Sequence, residues 1–298
     1  MLVSKGQETD QNLDDFGGRI PHAVSGRELL KDIHSRQSFL GEHTEELFNR
    51  VRVGVVGLGG GGSHIAQQAG HLGIGRFAFF DPDFIDFPNL NRTVGATLSD
   101  AVAKTPKVKV AERVVKSINP QAEIWAIQTE WQKDFDSLRA CDVMFGCLDG
   151  FSQRTQLEES CRRAMIPLID IGMDVHKCDP YSISGQVVVS MPGLPCFRCV
   201  GFIRAKDLDE EGRRYGVAGG NPQVVWSNGV LASTAIGVFV QMLAPWCPIR
   251  SGSRFIGYDG DSFTLEHDAR LTWASESECQ HFKRISDLGD PLLETVVI

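Results

Sequence analysis

A run of glycines follows the first strongly apolar segment of the chain. The sequence GLGGGGS contains Gly57, Gly59 and Gly62 in the GxGxxG pattern, with Gly60 between them. Without side chains the backbone can approach a phosphate, and the helix that follows offers free N–H groups and a partial positive charge. Asp81 ends the next apolar segment, where a carboxylate reaches ribose hydroxyls. These residues predict a nucleotide site and leave mononucleotide and dinucleotide ligands open.

Three charged residues distinguish ATP chemistry from hydride transfer. Arg92 and Lys107 follow the glycine run, and Asp149 comes just after a further apolar segment. When a carboxylate attacks the α-phosphate of ATP, negative charge builds there and on the departing pyrophosphate, and cationic side chains stabilise it. Asp149 is placed to hold a Mg²⁺ ion, because ligands of open α/β sheets bind at the carboxyl ends of the strands. We therefore expect ATP and Mg²⁺ here.

Eight cysteines raise the question of metal or disulfide chemistry. We find no secretory signal in the polar, acidic first residues, so a disulfide framework is not expected. Cys196 and Cys199 form a CxxC pair, which in a reducing compartment indicates metal or redox chemistry. Others, such as Cys141 and Cys147, lie in apolar segments and are interpreted as buried hydrophobic side chains.

Composition and charge narrow the class of protein. The chain has 298 residues, 42% hydrophobic and 23% charged, which is typical of a soluble globular protein. A net charge of −8 argues against a nucleic-acid partner. The apolar stretch 229–246 contains Ser233, Thr234 and Gln241 and has no basic flank, so we interpret it as a buried helix and not as a membrane span. We expect a cytoplasmic protein with no membrane partner.

Alternating strands and helices must position these residues. Apolar runs alternate with amphipathic stretches, which predicts an α/β Rossmann-like fold with a mostly parallel sheet and helices on both faces. After Gly185 short strands follow, expected to pair antiparallel and to extend the sheet. The predicted strands cover residues 52–58, 76–80, 123–127, 142–148, 167–171, 185–191, 254–260 and 263–268; the predicted helices cover 63–72, 108–118, 152–164 and 223–243.

The segment from Arg52 to Gly150 resembles the ThiF/MoeB family, which includes the adenylation domains of ubiquitin-activating enzymes. The matching pieces are GLGGGGS, FFDPDFIDFPNLNR, TPKVKVAERVVKSINP and CDVMFGCLDG, and the likeness continues through PCFRC and NPQVVWSNGVLAS. The resemblance implies an ATP-dependent adenylyltransferase that activates the C-terminal carboxylate of a ubiquitin-like or sulfur-carrier protein as an acyl-adenylate. The partner would carry a Gly-type tail. A conjugating enzyme is a further expected partner if the pathway is a bacterial ubiquitin-like conjugation.

The resemblance also implies roles for individual side chains. Asp81 and Asp83 would hold the ribose and its surroundings, and Asp149 the magnesium ion. Asn89 would contact the phosphates together with Arg92 and Lys107.

An N-terminal motif and a domain organisation follow from the same resemblance. Ser35-Arg36-Gln37 looks like the RQ motif of the family, so Arg36 would reach the nucleotide of the partner subunit in a homodimer. We expect a mobile arm over residues 1–24 and one adenylation domain over 25–298. Within the domain we expect N-terminal helices (25–50), a nucleotide-binding half (51–184) and a C-terminal half for substrate binding and dimerisation (185–298).

The family often has half of a structural zinc site at the position of the CxxC pair. The second CxxC is degraded here, and Cys279 and His281 of ECQHF are the favoured partners of Cys196 and Cys199, with Cys247 in reserve. This set predicts a Zn²⁺ ion. The alternative is that zinc was lost and the thiols are free.

A thioester step is in doubt, because residues 200–222 lack the cysteine that some relatives use. Either the enzyme only adenylates, or another thiol serves, Cys178 or Cys247. Cys178 is the better candidate, since its neighbours His176 and Lys177 favour the thiolate.

Two other functions stay open at this point. One is an NAD-dependent oxidoreductase, which has no need of Arg92, Lys107 and Asp149. The other is an inactive regulatory subunit of an activating enzyme, which typically loses the nucleotide arginine and lysine that this chain keeps.

Overall fold

The computed structural model describes residues 33–213, 222–244, 246, 255–268 and 279–282. The chain divides into two compact units, Met1–Gln37 and Ser38–Ile298. The expected mobile arm over residues 1–24 lies outside the described residues. A short 3-10 helix, Ser35–Leu40, begins in the first unit and ends in the second.

Eight strands and eight α-helices lie in the described part of the second unit. The strands are β1 (Arg52–Val56), β2 (Arg76–Phe80), β3 (Glu123–Ile127), β4 (Val143–Gly146), β5 (Leu168–His176), β6 (Ser182–Ser190), β7 (Phe255–Asp259) and β8 (Thr264–His267). The helices are α1 (Thr44–Arg50), α2 (Gly60–Leu72), α3 (Leu98–Ala103), α4 (Lys107–Ile118), α5 (Phe135–Arg139), α6 (Phe151–Arg163), α7 (Ala205–Arg213) and α8 (Val225–Leu243).

The strands form one sheet in the order β3-β2-β1-β4-β5-β6-β7-β8. The four pairings among β1 to β5 are parallel, and the pairings of β6, β7 and β8 are antiparallel. The predicted fold class is confirmed. Strand order reverses between β1 and β4, and ligands of open α/β sheets bind at the carboxyl ends of strands at such a point.

Both faces of the central strands are buried, which explains their continuous apolar runs. Alternate side chains of β1 face opposite cores: Val53 and Val55 pack with α2, α4 and α8, and Val56 packs in the second core with α5 and α6. The sheet is therefore covered by helices on both faces near the glycine loop. That cover holds the carboxyl ends of β1, β2 and β4 in a fixed arrangement.

Helix α8 is long and apolar enough to cross a membrane, by length and composition. It packs in the core, where Leu231, Ala232, Ala235 and Phe239 are fully buried. The ring of Phe239 lies 6.2 Å from that of Phe48 and 5.7 Å from that of Phe145. This packing agrees with the interpretation of this stretch as a buried helix.

Strand β5 is longer than predicted. The sequence placed its end at residue 171, but β5 continues to His176 and pairs with β6 over nine residues, from Leu168↔Ser190 to His176↔Ser182. That prediction was wrong because, beyond its parallel pairing with β4, the strand has only β6 as a neighbour and loses its apolar run. The short helices α3, α5 and α7 were also not predicted; the first two have 6 and 5 residues, too few for a clear helical period.

Candidate nucleotide and metal sites

Two glycines of the loop are required by close backbone packing. Gly57 has a φ of +85°, and a Cβ there would overlap the carbonyl oxygen of Cys147, which belongs to the segment after β4. A Cβ at Gly62 would overlap the carbonyl oxygen of Gly57. The loop is therefore compact, and these two positions cannot hold a side chain without a backbone shift.

Gly59 differs from its neighbours, because a Cβ there would meet nothing within 4 Å. It precedes the first turn of α2, whose backbone N–H groups have no partner within the helix. Open space in front of a helix N-terminus, at the carboxyl end of a parallel strand, fits a phosphate group. The open space at Gly59 is therefore compatible with the predicted phosphate contact, which stays a prediction.

Asp81 ties the glycine loop to the end of β2. The residue is 4% exposed; Oδ2 accepts a hydrogen bond from the N–H of Leu58 (2.6 Å), and Oδ1 accepts one from the N–H of Asp83 (2.8 Å). Burial raises the pKa of Asp81, and the nearby ammonium group of Lys107 opposes that rise. Its role toward ribose stays a prediction, and in this structure the carboxylate holds the loop.

Lys107 lies beside both acidic residues. Its Nζ is 2.7 Å from Oδ2 of Asp83 and 3.9 Å from Oδ2 of Asp81, and its side chain is 11% exposed. Its backbone N–H donates to the carbonyl oxygen of Asp83 (3.0 Å), which fixes the start of α4 at the carboxyl end of β2. The Asp83 partner is exposed to solvent while Lys107 is largely buried, and the role of Lys107 toward phosphates stays a prediction.

The turn after β2 carries Asn89 and Arg92. Oδ1 of Asn89 accepts a hydrogen bond from the N–H of Asp86 (2.9 Å) in a capping box, so the amide oxygen already supports the turn. Nη1 of Arg92 donates to the carbonyl oxygen of Pro88 (2.6 Å) and to Oδ1 of Asn91 (3.0 Å). Nε of Arg92 is buried and has no hydrogen-bond partner among the described residues. An unpaired, buried guanidinium N–H suits an anionic ligand.

Asp149 is exposed and lies three residues beyond the end of β4. Its Oδ1 accepts a hydrogen bond from Nε2 of Gln223 (3.2 Å), and the backbone oxygen of Gln223 accepts one from Nδ2 of Asn91 (3.3 Å). Mg²⁺ commonly binds through one or two carboxylates together with substrate phosphates, so an exposed carboxylate at this edge fits the ion.

Sequence reasoning missed two polar residues near Asp149. Gln223 lies within the quoted NPQVV segment, so its motif was available as a signal although its contact was not. Glu211 of α7 accepts a hydrogen bond from the N–H of Ser152 (2.8 Å), at the start of α6, where a carboxylate is favoured by the helix dipole. Nothing in the local sequence indicates that contact, since the two residues are far apart in the chain.

Arg36 is exposed in the 3-10 helix Ser35–Leu40 and belongs to the first compact unit. The structure describes a single chain, so the trans role of Arg36 stays a prediction.

The four residues predicted to bind zinc come together. Their ligand atoms all lie within 4.8 Å of one another. Sγ of Cys196 is 3.6 Å from Sγ of Cys199 and 3.3 Å from Nδ1 of His281, and Sγ of Cys199 is 3.6 Å from Sγ of Cys279. In a tetrahedral zinc site neighbouring sulfurs lie ~3.8 Å apart and a sulfur and a nitrogen ~3.6 Å apart. The donor set therefore fits a zinc ion, and Cys247 lies outside the described residues.

Burial lowers the pKa of His281, with the nearby Arg198 and Arg162 acting in the same direction. The imidazole is therefore kept neutral at physiological pH, which is the form that binds a metal ion.

A buried polar network from α6 holds the loop that carries the CxxC pair. Oε1 of Glu158 accepts from the N–H of Phe197 (2.8 Å) and from Oγ of Ser190 (2.5 Å). Nη2 of Arg162 donates to the carbonyl oxygens of Leu194 (2.9 Å) and Pro195 (3.0 Å). Both ionic side chains are nearly inaccessible to solvent, with 2% of Glu158 and 1% of Arg162 exposed. This network was not predicted.

Cys178, the candidate nucleophile, is exposed in the turn between β5 and β6. Its thiol lies 3.5 Å from Oγ of Ser182 and 3.5 Å from the carbonyl oxygen of His176. Cys141, Cys161 and Cys196 are buried, and burial raises the pKa of Cys141 to about 12, which fits inert packing for that thiol.

Comparison with known proteins identifies the class to which this fold and these sites belong. The ThiF family matches residues 34–280, and the chain belongs to that family.

Two curated relatives and one solved structure illustrate the family. The molybdopterin-synthase adenylyltransferase of Salmonella typhimurium is 34% identical over 185 residues, covering 59% of this chain and 70% of the relative. The SAMP-activating enzyme E1 of Haloferax volcanii is 29% identical over 174 residues, covering 57% of this chain and 61% of that enzyme, which is less than two thirds of its length. A crystal structure of E. coli MccB with succinimide superposes with a TM-score of 0.65, covering 80% of this chain and 71% of MccB; at 19% identity it shows the shared fold.

Proposed function

We propose that this protein is an ATP-dependent adenylyltransferase that activates the C-terminal carboxylate of a ubiquitin-like or sulfur-carrier protein. The observation that carries the proposal is Lys107, whose ammonium group lies 2.7 Å from Asp83 beside the glycine loop tied by Asp81. During adenylyl transfer, negative charge develops on the α-phosphate and on the departing pyrophosphate, and a cation at this position would stabilise it. The relatives named as an adenylyltransferase and an activating enzyme support this chemistry.

The proposed reaction transfers the adenylyl group to the partner's tail. The terminal carboxylate attacks the α-phosphorus, the bond from that phosphorus to the bridging oxygen breaks, and pyrophosphate leaves with the electron pair. No general base is needed, because the carboxylate is already ionised at neutral pH. Lys107 and Arg92 stabilise charge on the phosphates, and the backbone of the glycine loop positions these phosphates. Asp149 would hold a magnesium ion, which neutralises phosphate charge when bound.

The second site is proposed to be structural. Cys196, Cys199, Cys279 and His281 would hold a zinc ion that joins the CxxC loop to the C-terminal segment. Since all four donors are protein side chains, no coordination position is left for substrate. The active form is proposed to be a cytoplasmic homodimer in which Arg36 completes the partner's site, and a conjugating enzyme would receive the activated tail in a conjugation pathway.

ATP–pyrophosphate exchange tests this function. The wild-type protein should exchange labelled pyrophosphate into ATP only with a ubiquitin-like protein ending in Gly-Gly, such as one encoded by a neighbouring gene. The same partner lacking its last two glycines should give no stimulation. Lys107→Ala should lower the exchange rate about a hundredfold, because it removes a group that stabilises the transition state.

A neighbouring lysine provides the matched control. Lys109 lies on the same helix, exposed, with its Nζ 2.8 Å from Glu112. Lys109→Ala should exchange within about twofold of wild type, because exposed ion pairs contribute little. Equal rates in the two variants would contradict the assignment. Nucleotide binding without exchange for any Gly-Gly partner would favour the inactive regulatory subunit, and NAD released from denatured protein would favour an oxidoreductase.

A further inference from the structure

We propose that Gln223 is a positioning residue of the adenylation site, which orients the carboxylate of Asp149 for the divalent cation. This inference rests on the proposed function. Nε2 of Gln223 donates to Oδ1 of Asp149 at 3.2 Å. Its backbone oxygen accepts from Nδ2 of Asn91 at 3.3 Å, next to Arg92. Gln223 thereby links the segment after β4 to the turn after β2.

A neutral donor is suited to this task. An exposed carboxylate at the end of a strand rotates freely unless a hydrogen bond fixes one oxygen. A lysine or arginine at residue 223 would neutralise Asp149 and compete with a cation, whereas an amide fixes the carboxylate and leaves its negative charge. Hydrogen-bond donors that orient ligand carboxylates are a regular part of metal sites, and their loss costs 10–100-fold in metal affinity or activity.

The backbone of Gln223 is anchored from the buried side. Helix α8 begins at Val225, two residues later, and Asn228 on its first turn donates from Nδ2 to the carbonyl oxygen of Val224 (2.9 Å). The amide of Asn228 also packs against Gly60, where a Cβ would come within 2.5 Å of Nδ2. Gln223 is therefore held between the glycine loop and the sheet edge by the start of a buried helix. A positioning residue needs such support, since a loose donor fixes nothing.

The test measures how ATP binding depends on magnesium, and therefore does not require catalysis. ATP affinity of the full-length protein is measured by isothermal titration calorimetry over a series of free Mg²⁺ concentrations. Gln223→Met keeps the length of the side chain and removes the donor. It should raise the Mg²⁺ concentration for half-maximal effect about tenfold, with ATP affinity at saturating Mg²⁺ close to wild type. Gln223→Ala provides a second variant and should behave in the same way.

Two control variants make the result decisive. Gln132→Met removes an exposed amide that donates to Gln156 (3.3 Å), and its magnesium dependence should equal wild type. Asp149→Ala should lose the magnesium dependence of ATP binding. If wild type and Asp149→Ala differ as expected but both Gln223 variants match wild type, this inference is overturned and the proposed function stands. If wild type itself shows no magnesium dependence, the metal role of Asp149 is overturned and the inference falls with it.

Discussion

The nucleotide edge and the Cys/His cluster are built in opposite ways. The nucleotide edge consists of charged residues that follow the ends of neighbouring parallel strands: Asp81, Asp83, Arg92, Lys107 and Asp149. Hydrogen bonds that involve the backbone hold this region together, such as the one from the N–H of Leu58 to Asp81. The cluster takes two ligands from the CxxC loop and two from residues 279 and 281, and buried ionic side chains of α6 hold the loop. At the edge, the carboxylates of Asp83 and Asp149 are exposed to solvent; beside the cluster, both ionic side chains of α6 are buried.

This difference predicts whether a substitution in each region lowers the reaction rate or the stability of the fold. Replacing an exposed group of the edge removes an interaction with the ligand and leaves the packed core intact. Replacing a group in or under the cluster removes a link between distant parts of the chain, or leaves a buried polar group unpaired. We therefore expect edge variants to lose rate while keeping stability, and cluster variants to lose stability.

The largest effect is expected from removing a zinc ligand. Cys196→Ser should abolish zinc binding and lower the melting temperature by more than about 10 °C, because structural zinc contributes on the order of 10 kcal/mol in small zinc domains. Elemental analysis after purification without chelators, together with calorimetry, measures both quantities. Wild type should contain about one zinc per chain. Wild-type protein free of metal, with an unchanged melting temperature in the variant, would show that the cluster is not a structural zinc site.

The next largest effect concerns the buried network beneath the cluster. Arg162→Met should lower the free energy of unfolding by about 3–5 kcal/mol, because it leaves the Glu158 carboxyl group without its buried cation. Urea denaturation measures it. Arg163→Met is the matched control: Arg163 is exposed on the same helix, and its replacement should change stability by less than about 1 kcal/mol.

The same variant has a signed pH dependence. Burial raises the pKa of Glu158 above its ordinary value of 4.5, and Arg162 opposes the rise. A raised pKa in the folded state means that stability is present at low pH and is lost as the carboxyl group ionises. Without Arg162 the rise is larger, so the stability deficit of Arg162→Met should grow as pH increases through the folded-state pKa of Glu158, which lies above 4.5. A deficit that is constant from pH 4 to pH 8 would show that the ion pair does not contribute.

A smaller free-energy change, confined to the rate, is expected at the nucleotide edge. Asp149→Ala should reduce ATP–pyrophosphate exchange by about a hundredfold or more, roughly 2–4 kcal/mol of transition-state stabilisation. Its melting temperature without nucleotide should match wild type, since Asp149 is exposed. Asp136→Ala, which removes an exposed acid 3.1 Å from Arg139, should leave both quantities unchanged. A loss of stability equal to that of Arg162→Met would erase the distinction between the regions.

The last prediction concerns whether the nucleotide site needs Arg36 from a second subunit. Arg36→Ala and Asp149→Ala proteins should each be nearly inactive. If Arg36 acts across a two-fold interface, a mixed dimer has one intact site, and about half the dimers are mixed. Exchanging subunits should then recover up to about a quarter of wild-type exchange activity. No recovery, with mixed dimers demonstrated by native mass spectrometry, would place Arg36 in the site of its own chain.

The sequence by itself determined the fold class and indicated which residues meet at the carboxyl ends of the parallel strands. Strands β2 and β3 have the predicted bounds, because their apolar runs are short and end at polar residues. The proximity of Asp81 and Lys107 follows from local structure, because Asp81 directly follows β2 and the backbone N–H of Lys107 donates to the carbonyl oxygen of Asp83. Parallel strands place their carboxyl ends at one edge, so the order of residues along the chain is enough to indicate what meets there.

Only the tertiary structure decided which distant groups meet. The family resemblance had already paired Cys279 and His281 with the CxxC loop, and the structure brings these residues together. The tertiary structure alone placed Arg162 beneath that loop, gave Asp149 its contact with Gln223, and extended β5 along β6. The contacts of Arg162 and Asp149 join segments far apart in the chain, whereas β5 and β6 are consecutive strands whose common length depends on their pairing. Local periodicity reports which face of an element is buried, but the identity of the neighbour on that face is set by the packing of the whole domain.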